Sequence, residues 1–179
     1  MSSEASTLKD AGLRLYREGN YAEAVAKFEA ARSAYADAGD RAMAGEMSNN
    51  LGLTHRALKA WDAAQTALEA ALNEFCEIGD RLREAQALGN LGALAESRGD
   101  LKRASDFYQQ AIALFGELGE HENRAYTLKA LSALQLKQGR QFEALATMDA
   151  GLAAAPKLSP TQRLLHNLIK WPMSLLGKG

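Results

Sequence analysis

The sequence contains few cysteine, proline and aromatic residues, and each shortage excludes or disfavours certain classes of fold. Cys76 is the only cysteine, which excludes an intramolecular disulfide framework and a multi-cysteine zinc site. Three prolines and an aromatic fraction of 7%, in a chain dominated by alanine and leucine, favour helices over sandwiches and barrels. With 179 residues, 47% of them hydrophobic and 24% charged, the chain can bury a core as one domain or one short repeat array.

The sequence also lacks an excess of either charge and any long apolar run. Lys and Arg number 21 against 22 Asp and Glu, a net charge of -1, so no global basic field exists to hold nucleic acid. No apolar stretch approaches the roughly 18 residues of a membrane span, and residues 1–4 lack the features of a signal peptide. These absences predict a cytoplasmic protein with no nucleic-acid partner, and they disfavour membrane contact.

Residue patterns typical of enzymes are missing as well. His55, His121 and His166 lie far from one another and from Cys76 in the sequence, so no metal-ligand spacing is present. The sequence has no dinucleotide-binding glycine motif, no P-loop and no nucleophile elbow. His55 and Cys76 are expected to be packed core residues. We therefore predict that the protein is not an enzyme and uses no metal or cofactor.

The sequence does contain an internal repeat with a period of 40 residues. Small and bulky residues recur in phase in four copies, and Gly39-Asp40, Gly79-Asp80 and Gly119-Glu120 recur between the copies. The recurring positions are Gly12, Gly52, Gly92 and Ser132; Ala24, Ala64, Ala104 and Ala144; Phe28, Leu68, Tyr108 and Met148; and Ala31, Ala71, Ala111 and Gly151.

Each copy has the apolar spacing of two helices. In the second copy, apolar residues from Ala64 to Phe75 follow the i, i+3, i+4, i+7 pattern of one helix face. Mid-copy glycines predict the turn between the two helices, although the second copy has Lys59 there. Asp40 and Asp80 are predicted to cap the next helices. Small residues facing large ones let the paired helices approach closely, and the pairs must stack to bury their apolar faces.

This pattern resembles the tetratricopeptide repeat over roughly residues 5–160. The Gly-Asp pairs, with Asn50-Leu51-Gly52 and Asn90-Leu91-Gly92, are similar to the long-repeat branch of that family. Leu-Gly-Asn repeat adaptors, kinesin light chains and bacterial peptide-sensing regulators belong to this branch. The resemblance implies an all-α, right-handed solenoid whose first helices line a concave groove. Its four helix pairs are expected at about residues 1–40, 41–80, 81–120 and 121–160.

Residues 161–179 are predicted to form a C-terminal capping helix with a short apolar tail. Ser159, Pro160 and Gln162 have the pattern of a capping box, and Trp171-Pro172 is expected to end or kink the helix. For the tail at residues 171–179, three alternatives remain: part of the cap, a homo-oligomer contact, or contact with a membrane or other partner. The apolar stripe expected to cover the fourth pair is Leu164, Leu165, Leu168 and Ile169.

The resemblance also implies which side chains face the groove. Asn50 and Asn90 are expected either to pair with the backbone of an extended peptide or to bond neighbouring helices or water. Arg83 lies at the entrance of a first helix, where similar arginines of relatives reach acidic ligands. Leu13, Gln86 and Asn90 do not match the carboxylate clamp of chaperone-binding relatives. The candidate groove residues are Lys9, Leu13, Tyr16, Arg17, Glu46, Asn49, Asn50, Leu53, Arg56, Arg83, Gln86, Asn90, Tyr126 and Lys129.

The sequence thus predicts a non-catalytic scaffold or adaptor. Its partner is expected to be a peptide or a helical segment of another protein, held in the concave groove of the repeats. Two alternatives remain: a peptide-sensing regulatory module, which would need a separate effector, and an assembly factor that self-associates through the C-terminal tail.

Overall fold

The computed structural model describes the backbone of residues 2–176 and the side chains of residues 4–169. In this part of the chain there are nine helices and no strands. The helices are α1 (Ser2–Arg17), α2 (Tyr21–Asp37), α3 (Arg41–Ala57), α4 (Trp61–Ile78), α5 (Arg81–Ser97), α6 (Leu101–Glu117), α7 (His121–Lys137), α8 (Gln141–Ala154) and α9 (Pro160–Leu176).

The predicted all-α repeat solenoid is confirmed. First and second helices alternate along the chain with the predicted 40-residue period, and α9 follows the last of them. The chain divides after Asp100 into two compact units. The first unit contains α1 to α5, in which each helix packs against the next, and the second contains α6 to α9.

The turns between helices follow the predicted chemistry. Six glycines in these turns have positive φ angles, and Lys59 occupies the corresponding position of the α3–α4 turn with a φ of 59°. The side chain of Asp40 accepts from the Met43 amide, and that of Asp80 accepts from the Arg83 amide. Both predicted N-caps are therefore confirmed, and the second copy keeps its turn without glycine.

Small residues permit close approach within the helix pairs of the first unit. A Cβ atom added to Gly12 would lie 2.7 Å from the Phe28 ring, and one added to Gly52 would lie 2.4 Å from Leu68 Cγ. Phe28 and Leu68 are fully buried. The predicted matching of small residues on first helices with large ones on second helices is thus confirmed at these two sites.

Cys76 is not the core residue that the sequence predicts, because its side chain is exposed. Its neighbour Phe75 fills the core position and is buried. Successive residues of an α-helix point about 100° apart, so the two side chains cannot share one face. His55 is half-buried.

The C-terminal helix begins as predicted but packs differently. The Ser159 amide donates to Gln162 Oε1 at 2.8 Å, and the Gln162 amide donates to Ser159 Oγ at 3.2 Å, which completes the capping box. The sequence predicts that Trp171-Pro172 ends or kinks the helix; an end there is wrong, since α9 continues to Leu176, and a kink stays a prediction. The three alternatives for residues 171–179 depend on side chains that lie outside the described residues.

The predicted apolar stripe of α9 does not cover the fourth pair as a whole. Ile169 is buried, whereas Leu164, Leu165 and Leu168 are exposed. The orientation of α9 explains this: His166 Nδ1 lies 2.7 Å from Asp149 Oδ1 of α8, and this contact lies on the same side of α9 as Ile169. Leu164 and Leu168 are then turned about 100° or more away.

Candidate functional site

A cavity of about 480 Å³ lies between α3 and α5 in the first unit. We call it the groove cavity. Five of the predicted groove residues line it, together with three residues that the sequence did not indicate. The predicted ones are Glu46, Asn49, Asn50, Arg83 and Gln86, and the additional ones are Phe75, Asp80 and Leu82.

An ion-pair network forms the charged side of the groove cavity. Arg83 Nη1 lies 2.6 Å from Asp80 Oδ2, and its Nη2 lies 3.4 Å from Glu46 Oε2. The Asp80 hydrogen bond and charge raise the pKa of Arg83 despite partial burial. Burial alone would raise the pKa of Asp80, but the Arg83 amide and guanidinium outweigh it and lower that pKa. Two carboxylates surround one guanidinium, so the cavity carries no excess positive charge for an acidic ligand.

Side-chain amides form the other side of the groove cavity. Asn90 Nδ2 donates to Asn49 Oδ1 at 2.8 Å, so Asn90 is engaged with the neighbouring first helix. Among the described residues, the side chains of Asn50 and Gln86 make no hydrogen bond within the chain. Each amide offers both a donor and an acceptor. The cavity therefore presents two unpaired amides, one from α3 and one from α5.

The remaining predicted residues of the first unit lie outside the groove cavity. Leu13 and Tyr16 are partly buried and pack against the core cluster of α1 to α3. Arg17 Nε donates to the Leu13 carbonyl at 3.1 Å. Lys9, Leu53 and Arg56 are half-buried. Their roles in binding stay predictions.

Tyr126 and Lys129 belong to α7 of the second unit. Both side chains are exposed, and 78% of Tyr126 is accessible to solvent. They line a separate cavity beside α8 and α9.

Comparison with known protein families gives a result that is independent of the repeat pattern. Residues 43–117 and 83–157, together more than half of the chain, match the tetratricopeptide-repeat family. The chain belongs to this family. The resemblance inferred from the repeat is thereby confirmed, and family membership supports a role as a protein-interaction scaffold. The sequence has no significant match among curated proteins.

Solved structures similar in fold to this chain include the three that follow. BtubC (BKLC) from P. vanneervenii has a TM-score of 0.76 and 22% identity, covering 87% of this chain and 68% of BtubC. The Rap conjugation gene regulator of plasmid pLS20, in complex with a Phr peptide, has a TM-score of 0.76 and 21% identity, covering 95% of this chain. This chain spans 48% of the Rap regulator's length.

The third structure is that of the nearly identical TPR-like repeats of a protein named as a kinesin light chain from Podosopora anserina. Its TM-score is 0.75 with 15% identity, and the alignment covers 94% of this chain and 86% of the other. At these identities the three likenesses establish the fold of the chain.

Sequence reasoning missed Phe75 because the family geometry places the groove on first helices alone, and it left Leu82 of the first helix α5 out of the face assigned to the groove. Phe75 comes from the second helix α4 and reaches the cavity beside Gly45, where an added Cβ would lie 2.9 Å from its ring. Asp80 was recognised only as a helix cap. The small residue at position 45 was the one signal that could have revealed the aromatic side chain behind it.

Three further features of the described part of the chain concern metal binding, cysteine reactivity and membrane-spanning helices. No three His, Cys, Asp or Glu side chains there lie close enough to hold a metal ion. Partial burial raises the pKa of the Cys76 thiol, and Glu84 adds to the effect, so the thiol is protonated at neutral pH. No helix among residues 2–176 has the length and apolar character needed to cross a bilayer.

Proposed function

We propose that the protein is a non-catalytic scaffold that holds an extended segment of a partner protein in the groove between α3 and α5. The observation that carries this proposal is the pair of unpaired amides, Asn50 and Gln86, which face one cavity from adjacent first helices. An extended peptide has an unpaired N–H and C=O at every residue. Two amides spaced along a groove can satisfy them without reading the peptide's side chains.

The bonds among Asp80, Arg83 and Glu46 indicate that these charged residues hold the wall of the groove cavity in place. Arg83, the one arginine among the described residues that line the cavity, donates hydrogen bonds to Asp80 and Glu46 of its own chain. These bonds engage the guanidinium that an acidic peptide would need. Arg41 is likewise bonded to Glu74 and Glu77. We therefore propose a partner recognised chiefly through its backbone, with a neutral or basic side chain beside Glu46 and Asp80.

The fold is compatible with this role. The Rap regulator, which shares the fold, was solved in complex with a peptide, and the family consists of interaction modules. A peptide-sensing regulator would use the same groove, so this alternative differs from a scaffold only in what the bound state controls.

The proposal is tested by affinity capture from native cell extract, followed by measurement of the dissociation constant for the captured partner. The test variant is Asn50→Ala with Gln86→Ala. The control variant, Asn73→Ala with Gln109→Ala, removes the same two residue types from exposed positions on second helices. We expect about tenfold weaker binding or more for the test variant, since each lost bond is worth about 0.5–1.5 kcal/mol. Equal binding by the test and control variants would contradict the proposal.

A further inference from the structure

The cavity of the second unit, which we call the terminal cavity, differs in chemistry from the groove cavity. It measures about 450 Å³ and lies among α7, α8 and α9, within the range of about 300–1,000 Å³ typical of ligand pockets. Its lining is mostly apolar and contains no acidic residue. Its lining includes Ala125, Tyr126, Lys129, Leu136, Ala155 and Leu165.

The repeat explains why this cavity is empty of side chains. In each of the first three copies, a buried aromatic residue lies near the C-terminal end of the second helix. These residues are Tyr35, Phe75 and Phe115. The 40-residue period aligns Ala155 of the fourth copy with these rings in the sequence, but α8 ends at Ala154 and Ala155 has an extended backbone as its C-cap. Phe75 packs beside Gly45, and the equivalent of Gly45 in the fourth copy is Ala125. Both Ala125 and Ala155 line the terminal cavity, so the missing ring accounts for the hole.

The two cavities occupy equivalent places in the repeat, two periods apart. Glu46 and Asn49 of the groove cavity correspond to Tyr126 and Lys129 of the terminal cavity. A carboxylate and an amide are thus replaced by an aromatic ring and a cation. The same architecture that presents polar groups in the first unit presents an apolar hole with a positive rim in the second.

We propose that the terminal cavity binds a partner protein through one inserted aromatic side chain that is followed by a carboxylate. The aromatic ring replaces the one that Ala155 lacks, and the exposed ring of Tyr126 packs against it. Lys129 is exposed, and no ion pair is formed by it among the described residues. Its ammonium group pairs with the partner's carboxylate at the rim. This site is separate from the groove cavity and does not depend on it.

Charge complementarity selects this occupant over a second copy of the chain. Among the described residues that line the cavity, Lys129 is the one charged side chain, and it is a cation. A two-fold contact centred on this cavity would bring the Lys129 ammonium groups of both copies together, which is unfavourable. An acidic aromatic segment would instead be attracted.

The probe is the acetylated peptide Ser-Gly-Phe-Asp-Gly-Ser, titrated into the ¹⁵N-labelled chain and followed by amide chemical shifts. Matched peptides replace the Phe with Ala or the Asp with Asn. We expect shifts at Ala133 and Leu152, which line the cavity, and at least tenfold weaker binding when the Phe is replaced. The Ala155→Phe variant adds a ring to the lining of the cavity and should lose binding to the same extent. Ala153→Phe, at an exposed position of α8, should bind as the wild type.

A second variant keeps the test decisive if Ala155→Phe does not fold. Lys129→Met leaves an exposed position apolar, and we expect it to bind the Asp and Asn peptides equally. The proposal is overturned if Ala155→Phe folds and binds the probe like the wild type, or if the shifts lie only on α3 and α5. It is also overturned if the chain forms a dimer that Ala155→Phe dissociates, since a second copy would then be the occupant.

Discussion

Two helical glycines of the first unit differ in what a methyl group would meet. An added Cβ at Gly52 would lie 2.4 Å from Leu68 Cγ and 3.2 Å from the Ala64 carbonyl, whereas one at Gly89 would meet nothing within 4 Å. We expect Gly52→Ala to lower the free energy of unfolding by about 1–3 kcal/mol through overpacking. Gly89→Ala should raise it by about 0.5–1 kcal/mol, because alanine loses less backbone entropy in a helix. Urea denaturation of both variants checks the prediction, and a shift of the same sign in both would contradict it.

The Asp80 carboxylate makes stability depend on pH. Its pKa in the folded chain lies below the ordinary value of 3.8, so its contribution is complete above that value and is lost as the pH falls through the folded pKa. Asp80→Asn keeps a capping side chain but removes the charge paired with Arg83. We expect the variant to be less stable by about 1 kcal/mol at pH 7. The difference from wild type should persist down to about pH 4 and shrink below it. A difference that grows on acidification would show that the sign is wrong.

Among the described turns between paired helices, only the α3–α4 turn has a non-glycine residue with a left-handed backbone conformation. Lys59 has a φ of 59°, where the corresponding turns have glycine. Left-handed φ strains an L-residue, so Lys59→Gly should raise the free energy of unfolding by about 0.5–1 kcal/mol. The reciprocal change Gly99→Lys, at a φ of 82°, should lower it. Thermal unfolding of the two variants tests this, and a less stable Lys59→Gly protein would count against it.

At the level of elements, the sequence was sufficient to predict a helix or a turn wherever neighbouring residues alone determine it. The 40-residue period, the turn glycines and the caps at Asp40 and Asp80 predicted helix order and turns, because each depends on neighbouring residues only. The packing of α9 could not be predicted in this way. Its apolar residues spread over more than one face, and the pairing of His166 with Asp149, a tertiary contact, accompanies the burial of Ile169 rather than the leucines.

At the level of the molecule, the register predicted five of the first-helix residues around the groove cavity but not how they pair. The bonds of Asn90 with Asn49 and of Arg83 with Glu46 join residues about one period apart. They depend on side-chain rotamers that the repeat does not encode. The register also concealed the contribution of Phe75, because a residue assigned to a core was not considered as a cavity wall.

The central claim is that a partner lies in the groove cavity of a chain that performs no chemistry itself. Its most direct test is site-specific photo-crosslinking in native cell extract, with a benzophenone side chain at position 86 in the groove or at position 73 on the exposed face of α4. Our account predicts a partner adduct from position 86 that position 73 does not give. Adduct formation from position 73 alone, or equally from both positions, would contradict it.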